Sequence, residues 1–440
     1  MTVHLMSRPL HSTVRLFLLL FAIAGQTTPA VAQSCADNDV VVFVGADVLT
    51  MTDSILRRGQ NILVRSGRIE SVGLTTFPAG ACHIDARNKV LLPGLADMHV
   101  HTNAREMGLF LANGVTTVRE MNGSPRHLAL RDSLASGALL GPRLLVASTL
   151  LTGRTWPVRY RLIEDTSAAK AAAIEMKNAG YDYLKIYDGL SREVYDAFVE
   201  MSRTLAIPLD GHIPQAVGLA RVLDAGQSLQ HMDKIAFALG GHSADTSGLI
   251  EAARLFQGKS VWVTPTLASL RVLDRAGTAE YSARFQNPEM QYVDSSSLSW
   301  WRSLSRGGTR QATASPYYRF QTALLPILRR SGARFLVGTD AANPMMVAGF
   351  SLHEEMQVLV DDGGFGRFEV LLAATRNTAQ FLGDTLSGQI RPGARADLIL
   401  VDGNPLENLA VLKRPVGVMV GGRWHDRARL DQILQRSRIS

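Results

Sequence analysis

Four histidines, a lysine and an aspartate are spaced along this chain as cation ligands would be. His99 and His101 stand two apart in Met98-His99-Val100-His101. In an extended chain, side chains two apart point the same way, so both imidazoles can face one metal. Lys185 lies in the run Tyr183-Leu184-Lys185-Ile186-Tyr187. His212 follows Asp210-Gly211, His231 follows Leu229-Gln230, and Asp340 follows Val337-Gly338-Thr339. Singly, each has an ordinary explanation. An isolated His is commonly a hydrogen-bonded core or surface residue, a Lys ending a strand snorkels to solvent, and an Asp after a strand caps a helix.

Together they define a chemistry. Neutral imidazoles and a carboxylate suit Zn²⁺ or a similar borderline cation. A desolvated Lys beside such cations has a lowered pKa and is partly neutral. Its amine can take up CO₂ as a carbamate, whose two oxygens can bridge two cations. Two cations polarise a carbonyl and generate a hydroxide nucleophile at neutral pH. Asp340 can bind one of them, take the proton from water and pass it to a leaving amine.

Such ligands need a scaffold that brings distant residues to one place. Between residues 91 and 384 short apolar strands alternate with amphipathic helices. The strand candidates are Val90 to Leu92, Val115 to Val118, Arg143 to Ala147, Tyr183 to Ile186, Pro208 to Asp210, Ser228 to Gln230, Val261 to Val263 and Arg334 to Val337. One intervening helix is expected to start at Ser191, with Val194, Phe198 and Met201 on one face. Eight such units predict an α/β fold, a (β/α)₈ TIM barrel, whose sites lie at the C-terminal ends of the strands. An open doubly wound sheet would want a Gly-rich phosphate turn after its first strand, and there is none. All six candidates fall at or just past strand ends, which chance does not explain.

Residues 33–90 and 385–440 have a different texture. Val40 to Val44, Asn61 to Val64 and Arg68 to Val72 are β-rich, with Arg65-Ser66-Gly67 as a hairpin turn. Ala396 to Val401 and Val416 to Val420 match them, which predicts a small β-sandwich built from both chain ends. An insertion over about 269–331 separates the last two barrel strands and carries Trp300, Trp301, Tyr317 and Tyr318. It reads equally as a lid and as a surface helical hairpin.

Residues 1–32 read as a secretory signal peptide. Arg8 and Arg15 precede the apolar Leu16 to Ala24, and Ala30-Val31-Ala32 offers a cleavage site. A periplasmic or secreted location follows, with no membrane association after cleavage. Loss of the two arginines lowers the formal charge from +7 to +5, and no basic run remains. Nucleic acid is therefore not an expected partner. Cys35 and Cys82 are the two cysteines; in an oxidising compartment they could pair and tie the mature N-terminus to the first sheet.

The ordered set HxH, Lys, His, His, Asp on strands one, four, five, six and eight resembles the amidohydrolase superfamily. The resemblance covers nearly the whole mature chain. It includes Pro93-Gly94-Leu95, Ala374 to Ala379, Gly388-Gln389-Ile390, Pro392-Gly393 and Ala396-Asp397-Leu398. Gly211-His212-Ile213-Pro214 and Ser351-Leu352-His353-Glu354-Glu355 are similar to its imidazolonepropionase-like and prolidase-like secreted branch. That branch includes dipeptidases and carboxypeptidase-like enzymes that cleave N-acyl amino acids, ochratoxin-type amides among them. The resemblance implies hydrolysis of an amide or peptide bond in a small-molecule or dipeptide substrate. It implies two divalent cations, Zn²⁺ foremost. His99, His101 and Asp340 would hold one, His212 and His231 the other, with carboxylated Lys185 between them. It also implies that Tyr187 reaches the mouth and donates to the carbonyl oxygen, and that His353 sits near substrate. Assembly into a homo-oligomer is left open.

Two rivals remain within and outside this reading. A deaminase of the superfamily uses one metal and a Glu three residues after the strand-five His, where this chain has Gln215; it also has no need of Lys185. A mononuclear cyclic-amide hydrolase stays open. A catalytically inactive binding scaffold would have lost ligands, and none is lost. His83, His127, His242 and His425 read as structural or surface residues. Arg119 and Arg154, after strands two and three, could meet a substrate carboxylate.

Overall fold

The computed structural model describes residue 35 and residues 38–241, 246–305 and 314–439; the expected signal peptide and His242 lie outside them. Strands from both ends of the chain share one eight-stranded sheet. Val40–Leu49 is its pivot. It runs antiparallel to Leu56–Arg65, parallel to Cys82–Asp85 along its first half, and parallel to Val90–Pro93 along its second. The halves meet at a register shift between Phe43 and Ala46. Gly45 sits there at φ 72, where a Cβ would lie 2.8 Å from Arg87 Cγ. Val90–Pro93 then pairs antiparallel with Leu398–Val401, and Gly417–Val420 and Arg423–Asp426 complete the row.

The expected hairpin forms between Leu56–Arg65 and Arg68–Val72. Its two turn residues, Ser66 and Gly67, have φ of 46 and 75, as a two-residue turn of primed type demands. Phe43, Ile62, Leu91, Leu398 and Leu400 form the core of this region, with Trp424 edge-on to Phe43. Cys35 and Cys82 are disulfide-bonded, with Cα atoms 5.6 Å apart.

Among the described residues ten further strands are parallel to their neighbours. Two of them, Leu150–Thr152 and Tyr160–Leu162, pair with each other, the first also beside Ile186. The other eight are β1 (Leu95–Val100), β2 (Val115–Glu120), β3 (Arg143–Val146), β4 (Leu184–Ile186), β5 (Leu209–Gly211), β6 (Ser228–Gln230), β7 (Trp262–Thr264) and β8 (Arg334–Phe335). β1 to β3 pair in order, as do β4 to β8. The two sets are joined on both sides. The amide of Ser148 donates to Tyr183 O at 2.8 Å. The amide of Met98 donates to Val337 O, and that of Asp340 to His99 O, each at 2.8 Å. Backbone hydrogen bonds thus pass from strand to strand through all eight and back to the first. Every residue of β1 is buried, as expected of a parallel strand covered on both faces.

One strand expectation is corrected. Val90 to Leu92 does not begin the parallel set; it belongs to the sheet of the chain ends. β1 starts two residues beyond Pro93, so His99 lies within a strand rather than after one. The helix expected from Ser191 is present at Arg192–Leu205. Ser191 caps it by accepting the Val194 amide, and Val194, Phe198 and Met201 are buried.

The segment between β7 and β8 is helical, with Leu267–Asp274, Ala279–Ala283, Ser295–Ser303 and Pro316–Arg330. Thr278, Asp294 and Ser315 cap the last three. It is anchored by Trp301, which is buried and accepts from the Tyr281 hydroxyl through its carbonyl. Arg284 makes a two-pronged ion pair with Glu354. Glu355, also on helix Phe350–Asp361, accepts the amides of Leu267 and Ala268.

Candidate metal centre

A cavity of about 600 Å³ opens at the C-terminal ends of these strands, and all six expected ligands line it. His99 lies on β1 and His101 follows it, with ring centroids 5.4 Å apart. Their Nε2 atoms lie 3.5 and 3.2 Å from the same Asp340 oxygen, Oδ1. His231 follows β6, and its ring is 4.5 Å from that of His99. His99, His231 and Asp340 each offer a ligand atom, and these lie within 4.8 Å of one another. His212 follows β5, 5.1 Å from His231 ring to ring. His231 thus groups with His99 and Asp340 more tightly than the expected split between the two cations.

The local backbone aims these groups. His231 and Asp340 have φ of 67 and 62, and Thr266, which hydrogen-bonds His231 Nδ1 at 2.8 Å, has φ of 49. Left-handed backbone at a non-glycine is costly and gathers at functional sites. Gly211 has φ 138, and a Cβ there would fall 2.0 Å from Ile186 O. Glycine is what lets β5 pass close enough to β4 for His212 to sit beside Lys185.

Lys185 lies on β4 and is 1% exposed. Its backbone amide donates to Ser148 Oγ at 2.9 Å, but its Nζ is buried and makes no hydrogen bond. Burial brings its pKa down to about 8, against the pull of Asp210 and Asp340. A buried amine without a partner is costly and calls for an explanation.

Burial also depresses the histidines. His212 falls to about 3, although Asp188 works against the shift. His99 and His231 fall well below their ordinary value, chiefly through burial, with Lys185 adding to it. These three are neutral and hold lone pairs for a cation. His101 goes the other way. Burial alone would lower it, but Asp340 and Glu120 on either side raise it to about 9.

Tyr187 lines the cavity with its ring 3.9 Å from that of His212. His353 is not brought to it. It is buried in helix Phe350–Asp361, where its Nε2 meets the Asn113 carbonyl at 3.0 Å, so it is corrected to a structural residue. Arg119 is likewise not at the mouth. It is wholly buried, donates to Met98 O and Asp210, and lies over the rings of Tyr183 and Phe381. Arg154 pairs with Asp188 and lines an adjoining cavity of about 520 Å³. His127, expected as structural, reaches the wall of the main cavity. The insertion contributes Leu270, Leu273 and Trp300 to that wall; Trp300 is 50% exposed.

Several supporting residues were missed from sequence. Asp97 accepts the Thr339 amide and hydroxyl at 3.0 and 2.7 Å and the His99 amide at 3.4 Å. Burial pushes its pKa up to about 7. Glu120 accepts the amides of Thr102 and Asn122 and lies 3.5 Å from His101 Nδ1. Asp188 orients His212 at 3.1 Å, and Gln230 meets His99 Nδ1 at 2.6 Å. Asp97 had a signal, its place two residues before His99 on the same strand face.

The residues fit the cations that the ligand set implies. Neutral imidazoles, a carboxylate and an unpartnered buried amine converge on one cavity.

Comparison with known proteins agrees with this. The amidohydrolase family model matches residues 90–425. Ochratoxinase of Aspergillus niger is 35% identical over 91 residues, which are 20% of this chain and 18% of that protein. Among solved structures, a bottromycin amidohydrolase superposes with a TM-score of 0.76 at 27% identity, covering 92% of this chain and 91% of that one. A Xaa-Pro dipeptidase with methionine bound in its active site has a TM-score of 0.67 at 20% identity, over 88% and 100%. The A. niger ochratoxinase structure has a TM-score of 0.62 at 19% identity, over 88% and 96%. The last two are likenesses of fold. With the family matched across most of its length, this chain belongs to the amidohydrolase family.

Proposed function

We propose that this protein is a secreted, dinuclear amide hydrolase acting on a dipeptide or an N-acyl amino acid. The single observation that carries the reading is Lys185 Nζ, buried without a partner among cation ligands. On this reading the amine bonds to CO₂ carbon, releases a proton and becomes a carbamate whose oxygens take the place of the missing partner. His99, His101, His212, His231 and Asp340 complete the set. Two divalent cations, Zn²⁺ foremost, would supply carbonyl polarisation and water activation.

The chain's own residues do the rest. Asp340 accepts the water proton and returns it to the leaving nitrogen. Asn343 donates to its Oδ2 and holds the carboxylate in place. Burial raises the Tyr187 pKa, so its phenol stays protonated and can donate to the carbonyl oxygen as charge develops there. Trp300 and Leu273 line the cavity and would face a bound substrate.

The closed circuit of β1 to β8 supports a (β/α)₈ barrel over 94–384, with 33–93 and 385–440 forming the sandwich; the boundary lies past the expected residue 91 because Val90–Pro93 pairs in the sheet of the chain ends. The disulfide supports an oxidising compartment, periplasmic or extracellular. The local likeness to ochratoxinase and the match to a bottromycin amidohydrolase support an amide substrate.

A mononuclear cyclic-amide hydrolase or deaminase is the second reading, favoured by the tight grouping of His99, His231 and Asp340 alone. Elemental analysis separates them. The dinuclear reading expects about two divalent metals per chain. A screen of dipeptides and N-acyl amino acids with Zn²⁺, varied at the C-terminal residue, should find hydrolysis that His99→Asn abolishes without unfolding the protein. A folded chain that binds no divalent metal overturns the proposal.

A further inference from the structure

From His99 in the cavity wall a chain of buried polar groups runs beneath the floor. His99, Gln230, Asp210 and Arg119 are each no more than 1% exposed. His99 Nδ1 meets Gln230 Oε1 at 2.6 Å, and Gln230 Nε2 donates to Asp210 Oδ1 at 2.6 Å. The other Asp210 oxygen accepts from Arg119 Nη1. Arg119 Nε in turn donates to Met98 O, one residue from His99, at 2.8 Å.

The direction of this chain follows from its far end. Guanidinium has hydrogens to give and nothing to accept with, and an ionised carboxylate has none to give. Asp210, held by Arg119, therefore accepts from Gln230 and fixes which way its amide points. The NH₂ faces Asp210 and the oxygen faces His99. An amide oxygen can only accept, so His99 must carry its hydrogen on Nδ1. Its Nε2, 3.5 Å from Asp340 Oδ1 with no hydrogen bond between them, is left with a free lone pair pointing into the ligand cluster.

We propose that Gln230, oriented by Asp210 and Arg119, is a positioning residue that fixes His99 as the Nδ1–H tautomer and so presents Nε2 to a cation. The cation part rests on the proposed metal-dependent reading; the tautomer part stands without it. The alternative is that the four residues merely satisfy one another's hydrogen bonds, with no hold on the imidazole.

The test is ¹⁵N NMR of the histidine-labelled full-length protein, read beside Zn²⁺ affinity by chelator competition. The wild-type protein is expected to show His99 as Nδ1–H before Zn²⁺ is added. Gln230→Met keeps the volume and removes the acceptor. It should lose that signature and weaken Zn²⁺ binding by about 10–100-fold. Gln230→Glu should rescue both, because a carboxyl oxygen at the same place can accept from His99 Nδ1–H as the amide oxygen does. Wild-type His99 protonated on Nε2 overturns the proposal. So does Gln230→Met that keeps the Nδ1–H form, or Gln230→Glu that behaves no better than Gln230→Met. If Gln230→Met does not fold, the wild-type and Gln230→Glu spectra decide. An Nδ1–H wild-type protein that binds no Zn²⁺ would sink the metal-dependent function while leaving the tautomer assignment intact.

Discussion

Lys185 is the residue on which the two-cation reading turns. Loss of groups that merely support a ligand costs 10–100-fold in metal affinity or activity, so loss of a bridging ligand should cost more. Lys185→Ala is expected to drop metal content from about two per chain towards one and cut amide hydrolysis by more than about 100-fold. Acetate, small enough for the space vacated, should restore part of the activity. One metal per chain in both the wild type and Lys185→Ala would argue for the mononuclear reading. A second prediction concerns Glu355, whose pKa burial pushes up to about 8 against the two amides it accepts. The unfolded value is about 4.3, so between these values the folded state holds more protons than the unfolded one. Stability should therefore fall as pH rises from about 4.3 to about 8, and Glu355→Gln should flatten that slope in urea titrations. The six candidates were legible as a group, because all of them fall at or just past strand ends, although each alone has an ordinary explanation. Gln230 was not, and Asp97 had only its place two residues before His99 to mark it. Their partners lie 131 and 242 residues away, and a polar residue inside a strand says nothing of what faces it until the strands are paired.

At the scale of elements, the closeness of β4 and β5 is set by Gly211. Gly211→Ala puts a methyl against Ile186 O, in a conformation that alanine rarely adopts. We expect a loss of about 1–3 kcal/mol in thermal unfolding, together with weaker metal binding as His212 and Lys185 separate. The helical segment before β8 is expected to act on substrate rather than on the fold. Trp300→Ala should raise KM several-fold with an unchanged melting temperature, since its ring is half exposed; a fall in melting temperature without a change in KM would return it to a packing role. The strand–helix rhythm and the Ser191 cap were readable because caps and apolar spacing are local. The assignment of Val90 to Leu92 failed for a physical reason. A fully buried run reads alike in either sheet, and what separates the two is the break at Gly94, where a Cβ would collide with Thr116.

For the whole molecule, the disulfide Cys35–Cys82 closes a loop of 47 residues. Loop entropy alone puts its contribution at about 4 kcal/mol. Cys82→Ser should lower the unfolding midpoint accordingly while leaving kcat and metal content unchanged, because neither cysteine lines the cavity. A drop in metal content would mean that the sheet of the chain ends also braces the site. That sheet and the seam between β1 and β8 share one property. Both join segments from opposite ends of the sequence, Leu398 with Pro93 in one and Thr339 with Asp97 in the other. Such distant pairings form slowly. They also set an order of events during biosynthesis. A growing polypeptide exposes the paired histidines of β1 long before Asp340 has been translated, and β1 gains its last neighbour only when β8 emerges. The candidate ligand set is therefore complete only once β8 and Asp340 have emerged, and a translation product that stops before them lacks one of its six members.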